Sequence, residues 1–278
     1  MRLPIVVTAL ALVFATRVPA SAELLFEAEH YFDRVNVYRV SDLGKNAPPI
    51  YEITDAVSEP FGVAIAPDGS LYVANPGNNT ISIYKAGSRT HTDLLTDGVD
   101  GPHSVQIDAS GTVYVANAGN GTIAIYPPGA HSPSATFGHY ECLGGSALDV
   151  RQNFYFTDFC VQQVYEVERG TTTATSLGLT GLSSPEGVGF DAHGNLWVTY
   201  IGPSYGGITV FKPGQTSPFT FIGGFEAPDY VATDRRHRMF VSDFGIHPNV
   251  TEFEPGSFAA LLHFNNGLLT PIGLATRE

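Results

Sequence analysis

The chain has 278 residues, with 30 glycines and 19 prolines, a composition that favours many turns. Only 15% of its residues are charged, and its formal net charge at pH 7 is -13. Nucleic acid is an unfavourable partner for such an acidic surface, so we expect no nucleic-acid binding.

The first 22 residues have the pattern of a cleaved secretory signal peptide. Arg2 is followed by an apolar run from Leu3 to Ala15, and Ala20-Ser21-Ala22 has the small-x-small form of a cleavage site. A membrane anchor is the alternative, but the run is shorter than the roughly 20 residues that span a bilayer, and Arg17 interrupts it. We therefore expect a secreted or periplasmic protein without a membrane span.

One segment recurs along the rest of the chain and contains three short strands. In its clearest copy, the pairs Val63/Ile65, Leu71/Val73 and Ile81/Ile83 alternate with the two-residue period of a β-strand. Copies start at residues 60, 102, 145, 185 and 228, and a last start falls at Pro271. This period of roughly 40 to 45 residues is typical of a four-stranded propeller blade.

The two ends of the chain complete one blade together. Leu25–Glu29 aligns without a gap on Leu71–Asn75, so the first blade lacks its first strand, and Pro271–Thr276 is a first strand without a blade. Closure of the ring by this pairing removes exposed edges. The sequence therefore predicts an all-β fold, a single six-bladed β-propeller with four-stranded blades over residues 23–278.

The two cysteines both fall in the fourth blade. Cys142 precedes that blade's first strand and Cys160 follows its second strand, positions that emerge on the same face of a propeller. An oxidising compartment permits a disulfide between them. Two free thiols that bind a metal are the alternative, although no supporting His or Cys spacing accompanies them.

The repeats resemble those of NHL-type and YVTN-type propellers. The resemblance covers nearly all of residues 23–278, through recurring Pro-x-Gly-Val, Asp-Gly-x-Leu-Tyr-Val-Ala-Asn and Asn-Asn-Thr-Ile-x-Ile-Tyr elements. Propellers with such repeats include protein-interaction modules, gluconolactonase-like and paraoxonase-like metal hydrolases, peptidyl amidating lyases and virginiamycin B lyase. The resemblance implies the fold and leaves the activity open.

In similar propeller enzymes, metal and substrate lie around the channel on the face where first strands begin and second strands end. On this face the sequence places four candidate metal ligands, which are Glu29, Asp158, Asp229 and Asp243. Carboxylates suit Ca²⁺ or another divalent cation, and crowding raises their affinity for it. The alternative is that such residues cap turns by accepting backbone hydrogen bonds. We expect no organic cofactor.

Two further residues are candidates for catalysis. Pro102-His103-Ser104 and Pro185-Glu186-Gly187 resemble the positions at which virginiamycin B lyase places His and Glu near its metal. The resemblance implies that His103 accepts a proton while a bound metal stabilises the product anion. Ser104 replaces the expected glycine, and a channel-lining histidine without a catalytic role is the alternative.

The leading interpretation is an exported, non-catalytic binding module. Its acidic channel mouth would hold a divalent cation, a small molecule or a protein partner, and we expect a monomer. Short connections such as Asn75–Thr80 leave little chain for a lid over a substrate. The alternative is a metal-dependent lactonase-like hydrolase or a lyase that uses His103 and Glu186 on the same face.

Overall fold

The computed structural model describes residues 23–277, which form a ring of six antiparallel sheets with four strands each. Blade 1 contains β1 (Leu24–Glu29), β2 (Arg34–Arg39), β3 (Tyr51–Ile53) and β24 (Pro271–Arg277). Blades 2 and 3 contain β4 (Val63–Ile65), β5 (Leu71–Asn75), β6 (Thr80–Tyr84), β7 (Asp93–Leu95), β8 (Pro102–Ile107), β9 (Val113–Asn117), β10 (Thr122–Tyr126) and β11 (Ala135–Phe137). Blades 4 and 5 contain β12 (Leu143–Leu148), β13 (Phe154–Asp158), β14 (Gln163–Val167), β15 (Ala174–Ser176), β16 (Pro185–Phe190), β17 (Leu196–Ile201), β18 (Gly206–Phe211) and β19 (Thr220–Phe225). Blade 6 contains β20 (Pro228–Thr233), β21 (Met239–Asp243), β22 (Asn249–Phe253) and β23 (Ala260–Phe264), and two short 3-10 helices span His30–Phe32 and Val40–Lys45.

The C-terminal strand closes the ring, as the sequence predicts. Strand β24 pairs antiparallel with β1, with Leu25 opposite Thr276 and Glu27 opposite Leu274, and the blade has the strand order β24-β1-β2-β3. The six-bladed fold and its closure are therefore confirmed.

Apolar side chains fill the spaces between neighbouring blades. In β5, Leu71 and Val73 pack toward blade 1 against Phe26, whereas Ala74 packs toward blade 3 against Val105. Each of the six interfaces between blades has its own buried cluster. Because both faces of every sheet are covered, each blade depends on two neighbours for the burial that stabilises it.

A β-bulge interrupts the first strand of five blades near its start. The register shifts in β8, β12, β16, β20 and β24 relative to the second strand of the same blade. An extra residue in a bulge leaves the ladder and its side chain takes a new direction. The residues that follow the first-strand prolines, such as His103 and Glu186, are placed in this way at the channel mouth.

Cys142 and Cys160 form a disulfide, with Cα atoms 5.4 Å apart. It joins the loop that precedes β12 to the chain just after β13, on the face that the sequence predicts. The bond is consistent with an extracellular or periplasmic location.

The predicted signal peptide, residues 1–22, lies outside the described residues. Within residues 23–277, no helix has the length and apolar character needed to cross a membrane.

Candidate functional site at the channel mouth

The first strands of neighbouring blades contact one another around the ring and line the channel. Loops that follow second and fourth strands lie on the face where first strands begin, and we call this the mouth face. Loops that follow first and third strands lie on the opposite face. A cavity of about 430 Å³, lined by the far ends of the first strands, opens on the opposite face.

The side chain of Tyr230 reaches across the channel at the mouth. It lies in the bulge of β20 in blade 6, is buried, and its hydroxyl donates a hydrogen bond of 2.7 Å to the carbonyl oxygen of His103 in blade 3. Blades 3 and 6 are opposite each other in a ring of six. Burial raises the pKa of the Tyr230 hydroxyl well above its usual value, so this group stays a neutral donor.

Two glycines allow the first strands to approach closely around Tyr230. A Cβ atom on Gly187 would lie 2.0 Å from the carbonyl oxygen of Asp229, and one on Gly273 would lie 2.0 Å from that of Phe61. Any side chain at these positions would push neighbouring blades apart. Gly187 and Gly273, the glycines of the Pro-x-Gly repeat in blades 5 and 1, are therefore packing requirements of the mouth.

Hydroxyl groups of second strands hold the bulges of the next blade. Thr157 donates a hydrogen bond of 2.6 Å to the carbonyl oxygen of Glu186, and Thr199 donates one of 2.5 Å to that of Asp229. Ser242 binds the carbonyl oxygen of Ile272 in the same way, at 2.6 Å. These contacts fix the backbone from which the candidate side chains project.

A row of aromatic rings leads from the surface of the mouth face to Tyr230. Neighbouring ring centroids are 4.5, 4.3, 4.3 and 6.2 Å apart. In order from the rim, the aromatic row consists of Tyr31, His30, Phe61, His103 and Tyr230. Of these five residues, only His103 is a candidate predicted from the sequence. Phe61 was recognisable, because it follows the first-strand proline as His103 does.

His103 is neutral at physiological pH. Burial lowers the pKa of its imidazole to about 4, and the neighbouring His30 lowers it slightly, against an opposing backbone contact with Gly144. Its Nδ1 atom is buried and has no hydrogen-bond partner among residues 23–277. The ring can therefore accept or donate one hydrogen bond to a ligand without adding positive charge.

Glu186 and Asp229 form a pair of carboxyl groups beside Tyr230. Glu186 is partly exposed and accepts a hydrogen bond of 3.1 Å from the Ser184 hydroxyl, and burial raises the pKa of its carboxyl group. Asp229 is 4% exposed, and its Oδ1 atom has no partner within the described chain. Burial, and then the charge of Glu186, raise the pKa of Asp229 well above its ordinary value. The pair favours a bound proton or a bound cation.

The other three predicted metal ligands accept hydrogen bonds from the backbone. Glu29 binds the amides of Leu269 and Thr270, both at 2.8 Å, and Asp243 binds those of Glu226 and Ala227 at 2.9 and 2.7 Å. Asp158 binds the amides of Glu141 and Cys142, and Asn75 and Asn117 bind those of Ser58 and Asp100. This is the capping role that the sequence left open. We call Glu29, Asn75, Asn117, Asp158 and Asp243 the loop-capping residues.

The structure brings Asp229 together with Glu186 and leaves the three loop-capping carboxylates in separate blades. Within residues 23–277, no group of three or more His, Cys, Asp or Glu side chains has an arrangement that could hold a metal ion. His103 contacts the rings of Phe61 and Tyr230, whereas Glu186 accepts a hydrogen bond from Ser184. The divalent-cation site stays a prediction.

No family model and no curated protein matches the chain. The resemblance to NHL-type and YVTN-type repeats is therefore not confirmed at the level of family. Similar solved structures do exist, and they share the propeller fold.

A chain in a crystal structure of a nidogen/laminin complex superposes with a TM-score of 0.74 and 16% identity, over 91% of this chain and 98% of that chain. A protein of unknown function from Bacteroides caccae superposes with a TM-score of 0.71 and 11% identity, over 93% of this chain and 100% of that chain. Kuenenia stuttgartiensis hydrazine synthase superposes with a TM-score of 0.58 and 13% identity, over 72% of this chain and 64% of that chain. At these identities the likeness establishes the fold alone.

Proposed function

We propose that the protein is an exported binding module whose channel mouth holds a small organic cation, such as an amine or a quaternary ammonium group. One observation carries the proposal: the aromatic row and the carboxyl pair meet at Tyr230. The row ends on the Tyr230 ring, and Asp229 of the carboxyl pair precedes Tyr230 in the bulge of β20.

Both parts of the mouth attract an organic cation. Aromatic faces attract cations through the negative potential of the ring face, most strongly where water is excluded. The carboxyl groups of Glu186 and Asp229 are desolvated, and a cation would stabilise their ionised forms. His103 stays neutral down to about pH 4, so its ring does not repel the ligand.

The carboxyl pair links cation binding to pH. Because the pKa of Asp229 is raised in the free protein, protonated Asp229 predominates at low pH and a cation must displace that proton. Affinity should therefore increase with pH until Asp229 is fully ionised, and binding should release a proton.

Titration calorimetry of residues 23–278 with tetramethylammonium chloride tests this proposal. Asp229→Asn and Glu186→Gln should each weaken binding by about tenfold or more, and Phe61→Ala should weaken it less. Glu254→Gln is the matched control, because Glu254 is an exposed acid on the opposite face. Repetition in buffers of different ionisation enthalpy measures the proton released.

Saturable binding that Asp229→Asn leaves unchanged would contradict the proposal. Calcium chloride, with and without chelator, tests the divalent cation as the other occupant, since carboxylates also suit Ca²⁺. A melting temperature raised by calcium and not by tetramethylammonium would favour the metal. The hydrolase or lyase that would use His103 and Glu186 stays a prediction.

A further inference from the structure

We infer that the mouth face is a docking surface for a basic protein segment with apolar side chains, centred on blades 5 and 6. This goes beyond the binding of a small cation in the channel and does not depend on it. Two features of the molecule support a docking surface here, the distribution of charge between the two faces and the position of the exposed apolar residues.

Positive side chains are almost confined to the opposite face. Of the 14 Lys and Arg in the chain, two lie in residues 1–22 and twelve in the described part. Among those twelve only Arg34, at the start of β2, lies toward the mouth face. The other eleven end or follow first or third strands, at Arg39, Lys45, Lys85, Arg89, Arg151, Arg169, Lys212, Arg235, Arg236, Arg238 and Arg277.

Acidic side chains dominate the loops of the mouth face. Seven acids in these loops are at least partly exposed, namely Asp33, Asp55, Glu59, Asp97, Asp100, Glu141 and Glu226. The partly exposed Glu186 adds an eighth carboxyl group at the channel mouth. The face therefore has a negative potential that attracts basic partners and speeds their encounter.

Exposed apolar residues occupy one side of the same face. Large apolar side chains that are between 42% and 88% exposed lie in its loops in blades 1, 4, 5 and 6, at Tyr31, Phe32, Val161, Tyr205, Ile246 and Leu269. The corresponding loops of blades 2 and 3, residues 76–79 and 118–121, contain only Pro, Ala, Gly and Asn. Exposed apolar residues interspersed with acids are the composition of a protein interface with a charged rim.

The charge decides which occupant fits. Anionic membrane surfaces carry the same sign as the mouth face and would repel it. A second copy of the chain would place two acidic faces together in a symmetric dimer, which is unfavourable as well. A basic segment with apolar residues satisfies both features, because its charges meet the acids while its apolar side chains cover Tyr205 and Ile246.

The test uses a synthetic peptide of lysine, arginine, leucine and tryptophan and measures its binding to residues 23–278 by fluorescence anisotropy. Two matched peptides replace the basic residues by glutamate or the apolar residues by serine. Only the basic, apolar peptide should bind well, and its affinity should fall as salt is raised from about 50 to about 500 mM.

Variants of the protein locate the binding. Tyr205→Ser with Ile246→Ser should weaken peptide binding by about tenfold or more. The matched control is Phe221→Ser with Leu261→Ser, because these side chains are 59% and 49% exposed on outer strands away from the mouth loops. Asp229→Asn should leave peptide binding unchanged, which separates this surface from the channel site.

Any one of the following outcomes would overturn the inference. The first is equal binding of the serine-substituted peptide, and the second is unchanged affinity in the Tyr205/Ile246 variant. The third is binding of the protein to phosphatidylserine vesicles, or self-association that the Tyr205/Ile246 variant abolishes. Either result would mean that a membrane or a second copy, and not a basic segment, occupies this face. Loss of peptide binding in Asp229→Asn would place the peptide in the channel and would likewise contradict a separate docking surface.

Discussion

The side chain that ends a second strand holds the loop that arrives from the preceding blade. Glu29, Asp158 and Asp243 use a carboxylate for this purpose, and Asn75 and Asn117 use an amide oxygen. The role depends on an acceptor atom at this position and not on negative charge. Blade 5 is the exception, because the equivalent residue is Tyr200, which has neither a carboxylate nor an amide side chain.

Asp243 offers a test of capping against metal binding. Asp243→Ala leaves the amides of Glu226 and Ala227 without their acceptor, which should lower the free energy of unfolding by about 1–3 kcal/mol. Asp243→Asn, which introduces the residue type of Asn75 and Asn117, should lower the free energy of unfolding by less. Urea unfolding with and without calcium measures both.

If capping is the role of Asp243, calcium should change the wild-type and variant stabilities equally. A calcium-dependent stabilisation that disappears in Asp243→Asn would instead support the predicted metal site. Asn75 and Asn117 provide a comparison within the same protein, because they accept the loop amide hydrogen bonds without a negative charge.

At the scale of single elements, strand β1 contains a carboxyl group where the other second strands are apolar. Glu27 is fully buried and pairs across the ladder with Asn36, whose side-chain amide donates to Glu27 at 3.0 Å and to the carbonyl oxygen of Gly267 at 3.2 Å. The equivalent residues are Val73, Val115, Phe156, Val198 and Val241. Burial, and then the charge of Glu29, raise the pKa of Glu27 well above its ordinary value.

Replacement of this pair should stabilise the protein. Glu27→Val with Asn36→Ala reproduces the pair Val115 and Ala124 of blade 3. We expect a gain of about 1–4 kcal/mol at pH 8, because apolar replacement of buried ionisable groups is often stabilising. Denaturant unfolding at pH 5 and pH 8 measures the change.

The gain should be smaller at pH 5. A raised folded-state pKa means that the contribution of protonated Glu27 to stability is present below its unfolded value of about 4.5 and is lost as pH rises through the folded value. The wild type should therefore lose stability relative to the variant between pH 5 and pH 8. A loss of stability in the variant at both pH values would show that Glu27 and Asn36 are needed to hold the loop at Gly267.

At the scale of the whole molecule, the ring depends on a strand from each end of the chain. Strand β24 pairs with β1 and also contacts the first strands of blades 2 and 6. Its side chains Leu274 and Ala275 belong to the apolar clusters on the two sides of blade 1. Loss of this strand opens the ring and exposes both clusters at once.

Deletion of residues 271–278 should therefore abolish cooperative folding or cause aggregation. An exposed β1 edge with apolar faces is a template for intermolecular pairing. Circular dichroism melting and light scattering measure the outcome. Deletion of Glu278 alone is the control, since it follows β24, and a truncated chain that melts like the intact one would contradict closure by this strand.

The amino-acid sequence by itself determined the architecture. The period between prolines, the two-residue alternation of the strands and the complementary ends establish six blades and their closure, because each of these signals is a pattern of residue types along the chain. The disulfide followed from two positions within one blade. These parts of the structure depend on patterns in the linear sequence and could be predicted.

Only the tertiary structure decided which side chains meet at the mouth. Tyr230 and His103 lie 127 positions apart and touch because their blades face each other across the channel. Glu29 and Asp243 are metal-ligand candidates by residue type, yet their carboxylates accept hydrogen bonds from backbone amides of the adjoining loops. The repeat determines the backbone position of a side chain within its blade. The packing of the other blades determines which atoms surround the polar end of that side chain, and those atoms determine its pKa and its hydrogen bonds.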